Sequence, residues 1–245
     1  MNNAFPLAPG EMFRRGVEGF QRNPVALLLA GLLSIAGYAV FGIPAQQMLD
    51  DGDRVPALIL NIVGLVLGGT LAHPWYVVAL ASDRGEKADL AAALRSGDRF
   101  FAQLVGSFWF WAAFILGIQY LAGIPSIVVL IFYSFYGFIV ADLRYGGMRA
   151  LGTSVRLGEG RRIGIFAIAA MYGVFNFAAF LPLGYAVNVG TIVLSAALAL
   201  VTTSITMVAG AALYETLKVD LPDEPVSGMP VPRQKSKNKN ARKRK

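Results

Sequence analysis

Six runs of this chain, each 16 to 25 residues long, carry no Asp, Glu, Lys or Arg. They cover about Pro24–Ile43, Ala57–Leu80, Phe100–Leu121, Ser126–Ala141, Ile163–Leu183 and Val189–Leu213. About 20 apolar residues in a helix cross the hydrocarbon core of a bilayer. The spacing therefore predicts an all-α, polytopic membrane protein with six transmembrane helices. Only 15% of the residues are charged, against about 25% in a soluble domain.

The polar segments between the runs predict the orientation. Residues 1–23 carry three bases, residues 81–99 four, residues 142–162 five and the C-terminal segment nine. The alternating loops carry one, none and none, and the loop 44–56 is acidic through Asp50, Asp51 and Asp53. Basic loops stay in the cytosol. Both termini are expected inside a bacterial cell (inner) membrane, with 44–56 facing out. The 23 mostly polar residues before the first run, and the length of that run, speak against a cleaved signal peptide.

Three domains follow: a cytosolic N-terminus with an amphipathic helix over 1–23, a six-span membrane domain over 24–218, and a basic cytosolic tail over 219–245 expected to be disordered. Residues 233–245 hold eight bases and no acid, leaving 14 bases against 15 acids elsewhere. The net charge of +7 is thus a property of the tail.

Short amphipathic stretches precede alternate spans. Phe13, Val17 and Phe20 fall at helical spacing, as do Leu90, Ala93, Leu94, Gly97 and Phe101, and Met148, Leu151 and Val155. Each reads as an interfacial helix. The chain then parses as three copies of surface helix, span, short outer turn and span back, three hairpins beginning near Glu11, Asp89 and Gly147. Descent from a repeated hairpin and the ordinary pattern of a six-span protein both fit.

Asp142-x-Arg144, Ala150, Ser154, Gly158, Arg161–Arg162 and Ala212-Leu213-Tyr214-x-x-Leu217, with Phe13…Phe20-x-x-Asn23-Pro24 before span one, resemble a group of six-span bacterial proteins. The group includes the membrane domain attached to some glycerophosphodiester phosphodiesterases and the related YciC-like and DUF975-like proteins. The resemblance covers roughly residues 11–218 and implies the fold rather than an activity. Members often carry a proline in the last span, and residues 189–213 have none. A phosphodiesterase of that kind needs two catalytic histidines and acidic metal ligands. This chain has one histidine, so such an activity would belong to a separate protein.

No catalytic, cofactor or metal constellation stands out, and with no cysteine the chain has no disulfide, thiolate metal site or cysteine nucleophile. The expectation is a non-enzyme without cofactors. His73 reads either as a proton relay or ligand beside Pro74, or as an interhelical hydrogen-bonding residue. Asn61 and Asn176 are polar intramembrane candidates whose bland role is to join helices. Asp142 and Arg144 are candidate structural anchors or a local ion pair near Arg161–Arg162. Arg149, Arg156, Arg161 and Arg162 are candidate contacts for lipid headgroups, and the tail suits anionic lipid or simple cytosolic retention. The tail lacks aromatics to stack on bases, which disfavours nucleic acid.

Two function classes follow. One is a non-catalytic accessory or scaffold protein for lipid organisation or a membrane complex, its apolar stripes wedged into the inner leaflet, with membrane lipids and a membrane protein as partners. The other is a transporter or flippase-like carrier of an amphipathic small molecule or lipid, lined by Phe108, Trp109, Phe110, Trp111, Phe132 and Tyr136. A cavity at mid-membrane favours the carrier; a tightly packed core counts against it.

Overall fold

The computed structural model describes residues 9–120 and 123–219, and among them every regular element is helical. The N-terminal residues 1–8 and the basic tail lie outside the described residues. Helix α1 (Pro9–Arg22) leads into α2 (Pro24–Asp50), with Pro24 in the first turn, where its missing N–H costs no helical bond. α2 runs seven residues past the expected end of span one, straight through Pro44. The expected loop 44–56 shrinks to a turn at residues 51–53, in which Gly52 takes a positive φ of 94°. Gln46 helps carry the extension by donating to Asp50 Oδ1 four residues on, at 3.0 Å.

The next span is broken. α3 (Arg54–Leu71) and α4 (His73–Asp83) meet at Ala72, where Pro74 opens a new first turn. After the short α5 (Leu90–Leu94), α6 (Gly97–Tyr120) follows. α7 (Ile124–Tyr133) and α8 (Tyr136–Leu143) form a second broken span. Then come α9 (Gly147–Leu157), α10 (Arg162–Ala178), α11 (Leu181–Tyr185) and α12 (Val189–Lys218). Asn188 and Thr191 start α12 with a reciprocal capping box.

Five helical runs are long and apolar enough to cross a membrane: Pro24–Asp50, Arg54–Asp83, Arg99–Gln119, Ile124–Leu143 and Val189–Lys218. The stretch expected as span five is shorter. α10 has 17 residues, about 25 Å at 1.5 Å per residue. The chain turns at Ala179–Phe180 before α11, which carries Pro182 in its first turn. Large apolar side chains such as Val25, Leu29, Val40 and Ile43 on α2, or Val174 and Phe177 on α10, point outward. Their number and continuity match a lipid-facing surface rather than scattered surface hydrophobics.

The core lies along α4, α8 and the second half of α12. His73, Val78, Ile139, Val140, Val208 and Tyr214 are among their fully buried side chains. The Phe138 and Tyr214 rings stack at 5.8 Å. The three short helices share a pattern: α1 packs on α12, α5 on α4, and α9 on α8 as well as α6. On α1 and α9 the expected stripe is not free to enter a leaflet, whereas Leu94 on α5 (45%) and Phe101 on α6 (71%) stay exposed. Phe13 meets Phe175 edge-to-face at 4.8 Å, and Phe20 packs on the core. On α9, Leu151 is 6% exposed while Met148 is 59% exposed. The inward face is Ala150–Leu151–Ser154–Leu157 rather than Met148–Leu151–Val155. Small residues let α9 sit against α6, because a Cβ on Gly147 would stand 2.4 Å from the Ala102 carbonyl oxygen.

α2 packs chiefly on α3. A Cβ on Gly64 would lie 2.9 Å from the Tyr38 carbonyl oxygen, and one on Gly68 3.0 Å from that of Ser34. Ser34 Oγ donates to the Gly68 carbonyl at 2.8 Å. The Gly64-xxx-Gly68 pair is therefore a close helix contact of the small-residue kind. Gly68→Leu is expected to destabilise the purified protein by ~1–3 kcal/mol, read as a lower thermal midpoint in detergent. Gly152→Leu, where an added Cβ meets nothing within 4 Å, is expected to leave the midpoint unchanged.

Candidate ligand cavity

The breaks in the two interrupted spans leave a space inside the bundle. A cavity of about 380 Å³ lies among α2, α3, α4, α6, the α7–α8 junction and α12. Pockets that hold small molecules span ~300–1,000 Å³. Its wall includes Tyr38, Trp75, Tyr76, Phe110, Trp111 and Tyr136, and the exposed surface within it is overwhelmingly apolar. The two exposed wall residues are Ile35 (46%) and Tyr38 (36%), both on α2. The cavity is therefore only partly closed, and α2 forms its rim.

Local sequence explains the aromatic wall. Glycine opposite a ring lets the ring lie flat on a backbone. A Cβ at Gly137 would stand 2.3 Å from the Tyr76 ring, and one at Gly106 2.7 Å from the Tyr136 ring. Phe110 meets Trp111 edge-to-face at 5.0 Å and the Tyr136 ring at 5.4 Å. Polar groups nearby are mostly satisfied. Ser107 Oγ and the Tyr136 hydroxyl share a hydrogen bond of 3.0 Å, and Gln103 donates to the Gly69 carbonyl at 3.0 Å. The Trp75 indole N–H and the Ser134 hydroxyl are buried without a partner.

Of the six aromatics expected to line a path, Phe110, Trp111 and Tyr136 do so, whereas Phe108 and Trp109 face outward. Phe132 lies under the Arg162 guanidinium at 3.9 Å. His73 sits behind the wall, fully buried, with Nε2 3.1 Å from Ser96 Oγ and its ring edge-to-face with Phe100 at 5.3 Å. Asn176 Nδ2 donates to Thr206 Oγ1 at 3.1 Å and joins α10 to α12. Asn61 lines a second cavity, of about 290 Å³, near the α2–α3 turn.

At the opposite end, the helix ends meet in a charged cap. Arg84 donates from Nη2 to Asp142 Oδ1 at 2.6 Å and from Nε to Glu215 Oε1 at 2.9 Å. Lys218 Nζ reaches Asp142 Oδ2 at 2.5 Å, and the Tyr214 hydroxyl donates to the same oxygen at 3.0 Å. Asp142 thus pairs across the bundle with Arg84 and Lys218, rather than at the Arg161–Arg162 end of α10. Arg144 follows in the left-handed region at φ 56° and is exposed. Partial burial alone lowers the Arg84 pKa, but the hydrogen bonds with Asp142 and Glu215 outweigh it and hold the group above its ordinary value. Beside this hub, Arg15 grips Asp83 through two bonds, of 3.0 and 2.6 Å, and the Asp83 side chain is only 1% exposed.

The headgroup candidates are dispersed. The Arg149 guanidinium lies 4.0 Å over the Tyr145 ring, Arg156 is exposed at the end of α9, and Arg161 and Arg162 are half-buried at the start of α10. Reading the sequence alone missed Arg84 and Arg15. A signal was present: at the ends of α4, α8 and α12 an acid is followed by a base, as Asp83-Arg84, Asp142-x-Arg144 and Glu215-x-x-Lys218. Among the described residues no group of three or more His, Cys, Asp or Glu is placed to hold a metal ion.

Compared with protein-family models, curated proteins and solved structures, the chain matches none. In a double-mutant cycle, Arg84→Gln and Asp142→Asn are expected to couple by ~0.5–3 kcal/mol, measured as thermal stability in detergent. Arg144→Gln is expected to leave stability unchanged.

Proposed function

We propose that the chain is a non-catalytic, multi-pass bacterial inner-membrane protein that binds and carries an amphipathic small molecule or lipid inside its helical bundle. The single observation that carries this reading is the 380 Å³ aromatic cavity with its rim at Ile35 and Tyr38 on α2. A largely apolar wall of this size favours an apolar ligand over water. No charged residue lines it, so the ligand needs an apolar portion and no buried countercharge. The accessory or scaffold reading relied on stripes wedged into the leaflet. The burial of Leu151 and the docking of Phe13 and Phe20 favour the carrier over it.

The topology belongs to the same proposal. α10 and α11 together make a sixth span, and both termini lie in the cytosol with the charged cap. α5 and α9 each pack on the span that precedes them and α1 packs on the last span, a recurrence that supports a three-hairpin plan and the likeness to the six-span group.

Because the chain has no cysteine, single introduced cysteines report topology cleanly. Cysteines at Asp51, Gly123 and Asn188 are expected to react with an impermeant maleimide in intact cells, and those at Glu86 and Glu159 only after permeabilisation. Labelling of Glu159 and Asn188 from one side would remove the sixth span. For the cavity, purified protein is expected to retain a stoichiometric lipid or amphipathic molecule in native mass spectrometry. Met207→Trp or Ser134→Leu, each filling the space, should reduce retention at least tenfold. Retention unaffected by both fillers would overturn the carrier reading.

A further inference from the structure

The second cavity suggests what the first one holds. It is lined by Gln46, Arg54, Asn61 and Gln119 together with apolar residues of α2 and α3. Gln46 and Arg54 flank the α2–α3 turn, Asn61 lies two turns into α3 and Gln119 near the end of α6, and the apolar cavity lies deeper in the bundle. Tyr38 is the one residue that walls both cavities. Its ring lies along α2 over Gly42, where a Cβ would stand 2.4 Å from the ring carbon that bears the hydroxyl. The absence of a side chain at Gly42 thus leaves the ring as a partition that a rotation can clear. The two spaces meet at the Tyr38 ring, and with that ring turned aside they would form one path, polar toward the turn and apolar at depth.

The length of that path is diagnostic. From Ser34 to Gln46 the helix rises about 18 Å, close to half of a ~40–45 Å membrane including its headgroup layers. A path one leaflet deep, with a polar end at the surface and an apolar end at the midplane, has the dimensions of a single phospholipid. A short metabolite would fill only one end of it.

The charges select the headgroup. Arg54 is exposed, is the sole base of residues 44–56, and pairs with no carboxylate among the described residues. It presents donors to a phosphate. Around it the turn carries Asp50, Asp51 and Asp53, and Gln46 ties Asp50 to the cavity wall. A lipid with net negative charge meets three carboxylates there against one guanidinium. A zwitterionic lipid places its phosphate on Arg54 and its ammonium on the carboxylates. Asn61 supports the second contact, because its carbonyl oxygen is buried without a hydrogen-bond donor. An ammonium supplies the missing donor.

We infer that the protein takes a zwitterionic aminophospholipid from the leaflet at the α2–α3 turn, its phosphate on Arg54, its ammonium toward Asn61 and the acidic turn, and an acyl chain past Tyr38 into the aromatic cavity. This rests on the carrier reading above. The test uses the full chain in nanodiscs of equal phosphatidylethanolamine and phosphatidylglycerol, followed by native mass spectrometry of the lipid that survives detergent extraction. The unaltered protein is expected to enrich phosphatidylethanolamine about fivefold, the worth of one charge contact. Asn61→Leu should bring retention of the two lipids closer to equality, and Arg54→Gln should lower retention of both without favouring phosphatidylglycerol, each without loss of helical circular dichroism. They should leave binding of a neutral acyl probe, monoolein, intact, whereas Met207→Trp should abolish both. Equal retention by the unaltered protein, unchanged selectivity in Asn61→Leu, or unchanged phospholipid retention in Arg54→Gln overturns the headgroup assignment while monoolein binding keeps the carrier reading. No retained lipid and no monoolein binding overturns both.

Discussion

A single guanidinium ties the interior of this protein together. Arg84 closes the loop end of α4 onto Asp142 at the end of α8 and Glu215 near the end of α12, the three helices that form the core. Lys218 and Tyr214 supply the remaining partners of Asp142. A pair of charges half out of water is worth little alone. Here one cation serves two acids and one acid serves two cations, so each group compensates the desolvation of the others. The cavity lies away from this pinned end, against Trp75 and Tyr76 at the start of α4 and Tyr136 at the start of α8.

The second constraint is that hydrocarbon offers no hydrogen bonds to a broken backbone. The two interrupted spans meet it in different ways. At the α7–α8 junction Ser154 of α9 accepts from the Phe135 N–H at 3.2 Å and donates to the Phe132 carbonyl at 2.8 Å. At the α3–α4 junction Pro74 has no N–H to satisfy, and His73 is held by Ser96 beyond α5. α9 and the α5 region, each joined to the bundle where the helices are discontinuous, act as splints rather than as floats on the leaflet.

Much of this was legible in the sequence, for identifiable reasons. The apolar runs fix the helices because their length and lack of charge leave few alternatives. The Gly64-xxx-Gly68 spacing is also what ordinary small-residue usage in a glycine-rich chain gives, and only the packing of α2 on α3 tells the two apart. The limits are equally physical. Pro44 is tolerated inside α2, so the turn is shorter than the expected loop 44–56. The stripe on α9 was assigned by hydrophobicity, yet Ala150 and Ser154 are small enough to pack inward and Met148 turns out instead. Aromatic runs in α6 place every ring within reach of a path, but helical rotation sends Phe110 inward and Phe108 outward. The cation partners of Asp142 lie 58 and 76 residues away, a separation that local spacing cannot encode.

The splint at Ser154 sets an order of events during synthesis. It lies 19 residues beyond Phe135, about one to four seconds of translation at 5–20 residues per second. Throughout that interval the fourth span exists with an open carbonyl and an open amide at its centre. A helix with such a gap is poorly suited to bare lipid and is better kept beside the translocation machinery or water. Ser154 therefore bridges the α7–α8 junction only after the ribosome has moved past α9. Truncation anywhere between Phe135 and Ser154 leaves a chain whose α7–α8 junction keeps its gap.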